Sequence, residues 1–179
     1  QCLLNIAYVY MEAHDFDKAL GYFRVAAEMV SKAHGECVAE VADAHHGVAK
    51  ILLIKGEANE ALHQLEKSLQ IFREVSGEKH PHVAAIYMSC ANAHIDLGQS
   101  DEAIRFFHMA LDIFTECHGP EHTSVADVFQ NISLEYKHQA EYEKALDLLQ
   151  KALTIRQKFD SKIEVANTLS CIADIHDDQ

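Results

Sequence analysis

The chain sets an alanine beside a large aliphatic residue at a fixed interval of 42: Ala19-Leu20, Ala61-Leu62, Ala103-Ile104 and Ala145-Leu146. Downstream of each pair, apolar residues recur at i, i+3, i+7 and i+10. Two copies read Leu62, Leu65, Leu69, Phe72 and Ile104, Phe107, Leu111, Phe114. The first copy gives Leu20, Phe23, Ala27, Val30, and the last gives Leu146, Leu149, Leu153 and then Arg156, where the stripe lapses. This is one face of a 3.6-residue helix about five turns long. It predicts helices near 16–33, 58–75, 100–117 and 142–159. Acidic residues just before the pair (Asp17, Asp101, Glu143) complement the dipole of a first turn.

Upstream of each lies a second periodic stretch, near 2–13, 40–55, 82–97 and 124–139. Its apolar positions are Leu3, Ile6, Ala7, Tyr10; Val48, Ala49, Leu52; Tyr87, Cys90, Ala91; and Phe129, Ile132, Ser133, Tyr136. The small residue at 7, 49, 91 and 133 faces the small residue of the following helix, so two axes can approach closely there. A large side chain at such a crossing overpacks it, at a cost of roughly 1–3 kcal/mol.

Each unit is therefore two helices. Gly56 and Gly98 stand where the first helix ends and a left-handed residue is wanted. His14 and Ala140 hold the same place, and the Ala140 turn is expected to be strained or differently shaped. Between units, Ser76-Gly77-Glu78-Lys79-His80-Pro81-His82-Val83-Ala84 returns as His118-Gly119-Pro120-Glu121-His122-Thr123-Ser124-Val125-Ala126, with a looser copy from His34 to Ala42. The fourth linker, Lys158 to Ala166, lacks the glycine and is two residues shorter. Residues 167–176 then repeat a first helix once more. The chain reads as an all-α tandem array over 1–179, with repeats near 1–39, 40–81, 82–123 and 124–163 and an unpaired helix at 164–179.

Composition agrees: 49% apolar, two prolines and seven glycines in 179 residues favour helix throughout. The net charge of −13 leaves no basic stripe for nucleic acid and disfavours an anionic membrane surface. The longest aliphatic run, Ile51 to Ile54, is far short of a membrane span. Five scattered cysteines, with no Cys-x-x-Cys, fit free thiols and a cytoplasmic setting. A start at Gln1, inside a helical pattern, suggests a piece of a longer protein.

Paired antiparallel helices with small residues at the crossing resemble tetratricopeptide repeats. The 42-residue period is similar to that of kinesin light chains and nephrocystin-like proteins. The match is carried by Gly77 to Ala84, by Ala110-Leu111-Asp112-Ile113-Phe114 and by Lys151 to Lys158. The resemblance implies an α–α superhelix, right-handed, whose first helices line a concave groove for peptides or helices. In the family an asparagine two residues before the small crossing residue contacts the bound backbone. Asn5 and Asn131 match it, while Gly47, Ser89 and Cys171 replace it elsewhere.

On that fold the groove is expected to carry Asn5, Tyr8, Glu12, Asp43, His46, Lys50, Met88, Asn92, Asp96, Asp127, Asn131, Leu134, Lys137 and His138. Apolar patches fall at Tyr8, Met11, Leu53, Ile54, Met88, Ile95 and Leu134. With Asp174, Asp177 and Asp178, acids outnumber the lysines, which suits a basic amphipathic peptide or helical segment. Alternatively these acids only solvate an acidic surface. The expected function is a protein-binding scaffold or adaptor. A structural or self-association module and a peptide-sensing regulatory domain are the other readings, and the oligomeric state is left open.

Metal and enzyme chemistry find little support. His80/His82, Cys117/His118/His122 and His45/His46 lack the paired short spacings that zinc sites use. No phosphate-binding loop, Gly-x-Ser-x-Gly or His-Glu-x-x-His occurs. Cys117 and His118 are adjacent, have no orienting third group, and make a poor nucleophile–base pair. No cofactor is expected.

Overall fold

The computed structural model describes residues 2–35, 37–159 and 161–178. Glu36 and Asp160, which fall in two of the linkers above, lie outside the described residues, as do Gln1 and Gln179. Every element among the described residues is helical: α1 (Cys2–Glu12), α2 (Phe16–His34), α3 (Ala39–Ile54), α4 (Ala58–Ser76), α5 (Pro81–Asp96), α6 (Ser100–His118), α7 (Thr123–His138), α8 (Tyr142–Lys158) and α9 (Lys162–Asp178). None is long and apolar enough to cross a membrane.

The turns inside each repeat share one hydrogen-bond scheme. Gly56 N donates to Leu53 O (2.9 Å) and Glu57 N to Leu52 O (2.9 Å). The same two bonds recur at Gly98/Gln99, at His14/Asp15 and at Ala140/Glu141. This is the Schellman arrangement, which needs a left-handed residue at its apex. His14 and Ala140 adopt it at φ 58° and 59°. The Ala140 turn is thus strained and has the same shape as its glycine-bearing counterparts. Ala140→Gly is expected to stabilise by roughly 0.5–1 kcal/mol, the relieved left-handed strain less glycine's larger unfolded-state entropy. A urea titration that shows no gain would contradict this.

Two of the linkers between repeats, those before α5 and α7, end in a side-chain cap. His80 accepts the backbone N–H of His82 on Nδ1 (3.2 Å), and His122 accepts that of Ser124 (3.1 Å). A neutral ring supplies the lone pair that serine or aspartate oxygens usually provide at a helix start. Pro81 follows at the first helical position, where a missing N–H costs nothing. The recurrent histidine of the linker is therefore a helix cap.

Two compact units are present, residues 1–103 and 104–179. In the first, α1 packs on α2, α2 on α3, α3 on α4 and α4 on α5, while α3 also touches α1 and α5. In the second, α7 packs on α8 and α8 on α9. The second helices bury a line of alternating small and bulky residues: Ala19, Phe23, Ala26 in α2; Ala61, Leu65, Ser68, Phe72 in α4; Ala145, Leu149, Ala152 in α8. Phe23, Leu65, Phe72, Leu149 and Leu153 of the predicted stripe are buried as expected, whereas Leu62, Leu69 and Leu146 lie one position to the side of the buried line and are only half-buried. The close approach is visible at Ser68, whose hydroxyl reaches the Ala42 carbonyl of α3 at 2.8 Å.

Candidate functional site

In the first unit α1, α3 and α5 lie side by side, and their solvent faces carry most of the predicted groove residues. Tyr8 of α1 is half-buried, and burial together with the charge of Asp43 on α3 raises its hydroxyl pKa above the ordinary value. Burial also raises Asp43, against the pull of His82 and Lys50. His82 Nδ1 stands 3.9 Å from Asp43 Oδ1. Asn5 and Asp96 are exposed and Met88 is half-buried.

Next to these lies an open pocket of about 470 Å³ lined by Met11, Glu12, His14, Phe16, Lys50, Leu53, Ile54, Ser89 and Asn92. It brings together Glu12, Lys50 and Asn92 from the predicted set, one from each of the three helices. Met11, Phe16, Leu53 and Ile54 form its apolar wall, and Ile54 is 59% exposed. Such a cleft suits an apolar side chain, with the Asn92 amide able both to donate to and to accept from a bound backbone.

His46 departs from its expected role. It is only 8% exposed, and its Nε2 meets the Ser89 hydroxyl at 2.9 Å. Ser89 in turn donates to the Ala85 carbonyl at 3.2 Å. The ring is spent in joining α3 to α5 and is not offered to a ligand. Burial, with Lys50 and His82 nearby, lowers its pKa to about 3. Between pH 6.5 and 3 the unfolded chain binds this proton and the folded chain does not, so stability falls as pH falls through that window. The slope approaches about 1.4 kcal/mol per pH unit at full difference. Urea midpoints from pH 7 to 4.5 should therefore drop less steeply for His46→Gln than for the unsubstituted protein.

In the second unit Asn131, Leu134 and Lys137 of α7 meet Cys171, Asp174 and Ile175 of α9 around a small cavity of about 80 Å³. Lys137 is held by Asp178 at 2.9 Å. His138 stands 3.5 Å from the buried carboxyl of Glu135. Asp127 is bound to Arg156 at 2.7 Å. Arg156 is buried and also donates to Gln130 of α7 and to the Thr168 hydroxyl of α9 (2.6 Å). It ties three helices together from the position where the apolar stripe lapses. A cation in an apolar slot, with an aspartate on the preceding helix, was the available signal.

Among the described residues no three His, Cys, Asp or Glu side chains gather to hold a metal. A wider cleft of about 640 Å³ between α2, α3 and α4 is rimmed by Arg24, Glu28, Lys67 and Glu74, charges of both signs. Cys37 lies there and donates to Glu74 at 3.0 Å. That hydrogen bond raises the thiol pKa, which disfavours the reactive thiolate.

A family profile described as tetratricopeptide repeat matches residues 40–107 and 91–158. No curated protein matches in sequence. Among solved structures, BtubC (BKLC) from P. vanneervenii superposes with a TM-score of 0.76 at 21% identity, over 95% of this chain and 71% of that one. The nearly identical TPR-like repeats of a predicted kinesin light chain from Podosopora anserina give 0.74 at 19%, over 94% and 84%. Aspartyl phosphate phosphatase F from Bacillus subtilis gives 0.82 at 16%, over 97% of this chain and 44% of that one. At these identities the likeness is one of fold, an all-α solenoid of helix-turn-helix repeats.

Proposed function

Because the chain belongs to the tetratricopeptide repeat family, we propose that it is a protein-interaction module that holds a peptide or helical segment against its first helices. The observation that carries this reading is the pocket of the first unit. There three successive first helices contribute Glu12, Lys50 and Asn92 around an apolar wall. The partner is a basic amphipathic segment, because Glu12, Asp43 and Asp96 outnumber Lys50 along this face and steer cations toward it. Residues 1–179 act as one array, an adaptor or scaffold of the cytoplasm without catalysis of its own.

A peptide array that pairs basic with acidic amphipathic sequences tests the partner class. Basic peptides should bind more tightly, and Glu12→Lys with Asp96→Lys should weaken them at least tenfold, about 1.4 kcal/mol. Both side chains are exposed, so the fold is left intact. A preference for acidic peptides, or binding indifferent to the charge reversal, would overturn the assignment.

A further inference from the structure

Along the solvent side of α3, Asp43, Lys50 and Ile54 form one line. They stand at i, i+7 and i+11, within about 40° of one another on a helix of 3.6 residues per turn. Asp43 and Ile54 are therefore about 16 Å apart along the axis. Each end of the line is a seat shared with the neighbouring first helices. At the start of α3 the Asp43 carboxyl is half-buried, with Tyr8 of α1 close enough to feel its charge. The His82 ring of α5, 3.9 Å away, is the one group within ion-pair reach of it among the described residues. Burial raises the Asp43 pKa, so a cation arriving there would offset a cost already present in the fold. At the other end Met11, Phe16, Leu53 and Ile54 wall the apolar pocket, with Lys50 on its rim. Lys50 is exposed and meets no carboxylate within ion-pair distance among the described residues. The C-terminal ends of α1, α3 and α5 gather there, closing on Glu12, Ile54 and Asp96.

Given the groove proposed above, on which this rests, we propose further that its occupant is a helix laid antiparallel to α3, with a bulky apolar residue at i, an acid at i+4 and an arginine at i+11. The apolar side chain enters the pocket at Ile54, the acid pairs with Lys50, and the guanidinium meets Asp43. These three partner positions share one helix face for the same reason that Asp43, Lys50 and Ile54 do. In an extended strand about five residues span that distance, and side chains five apart point to opposite faces. Arginine suits the Asp43 seat because its planar cation can take a carboxylate oxygen and stack on the Tyr8 ring at once. The direction follows from charge. An antiparallel helix brings its positive N-terminal end to Glu12, Asp96 and the carbonyl ends of α1, α3 and α5. A parallel helix would set like poles together. An acid near its start and a base near its end also stabilise the partner's own helix.

The probe is a capped, fluorescent alanine–glutamine helix with leucine, glutamate and arginine at i, i+4 and i+11, titrated with the full chain by anisotropy. One control moves the arginine to i+8, and the other reverses the order so that arginine comes first. The first peptide should bind at least tenfold more tightly than either. Asp43→Asn should weaken it at least fivefold, yet leave unchanged the affinity of the same peptide with glutamine in place of arginine. Lys50→Gln should be coupled in the same way to the peptide's glutamate. Such coupling separates a contact from a change of fold, and the melting temperatures of both variants are measured alongside. Equal affinity for the three peptides, tighter binding of the reversed one, or equal losses for the arginine and glutamine peptides would overturn the proposed register. The groove would survive those results if Glu12→Lys with Asp96→Lys still weakened basic peptides. No binding by any basic peptide would overturn both.

Discussion

Phe23→Ala is expected to cost about 3–5 kcal/mol, the range for emptying a fully buried aromatic site. The ring is inaccessible to solvent and meets Tyr8 edge-on, with centroids 5.1 Å apart and planes at 83°. It also explains Gly47, which stands where the family resemblance would put an asparagine. A Cβ on Gly47 would lie 2.3 Å from the tip of the Phe23 ring, so the two positions compete for one volume. Gly47→Ala alone should then destabilise by roughly 1–3 kcal/mol through overpacking. In the Phe23→Ala background the added methyl enters vacated space. The double variant should therefore be more stable than the summed single losses predict, by over ~1 kcal/mol. Urea unfolding followed by far-ultraviolet circular dichroism measures the cycle, and simple additivity would deny that the ring fills the space above Gly47.

Around Arg156 the expected costs are lopsided. Asp127→Ala should destabilise by about 1–3 kcal/mol, because it removes the counter-charge of a buried guanidinium that keeps its bonds to Gln130 and Thr168. The Arg156 side chain is only 6% exposed, whereas that of Asp127 is 53% exposed. Arg156→Met should cost clearly less, since it removes the charge that burial penalises and leaves an aspartate that water can solvate. In both variants hydrogen exchange should rise along α9, whose Thr168 loses its partner or the geometry that holds it. If Arg156→Met proved the more damaging change, the guanidinium would be acting through its packing and not as a compensated charge. One consequence bears on function. Asp127 is unsuitable for testing groove electrostatics, because its substitution changes stability first.

Most of the repeat architecture was legible because it is written in small residues. Ala7, Ala49, Ala91 and Ser133, set against Ala19, Ala61, Ala103 and Ala145, recur at one period and have one physical cause, the close crossing of two helices. The second small line, at Ala26, Ser68, Ala110 and Ala152, is masked in the sequence by the larger residues that follow most of its members, although Leu69 and Leu111 among them are only half-buried. His46 was misplaced for a related reason. On a first helix the solvent face and the face against the next first helix are neighbours. Only the partner at Ser89, 43 residues on, decides which of them a side chain joins. Capping by His80 and His122 was equally hidden. The recurrence could be read, but a ring nitrogen 3.2 or 3.1 Å from a backbone amide could not. At Arg156 a broken pattern looked like decay of the repeat and proved to be a fastening between α7, α8 and α9.

The groove itself is tested most directly by photo-crosslinking. A benzophenone amino acid is placed at Asn92, in the wall of the first unit's pocket, or at Glu66, on the exposed side of α4. Each protein is irradiated with the tightest basic peptide from the array. A covalent adduct is expected from position 92 and none from position 66. Adduct formation at 66 alone would place the ligand on the second helices and contradict that expectation.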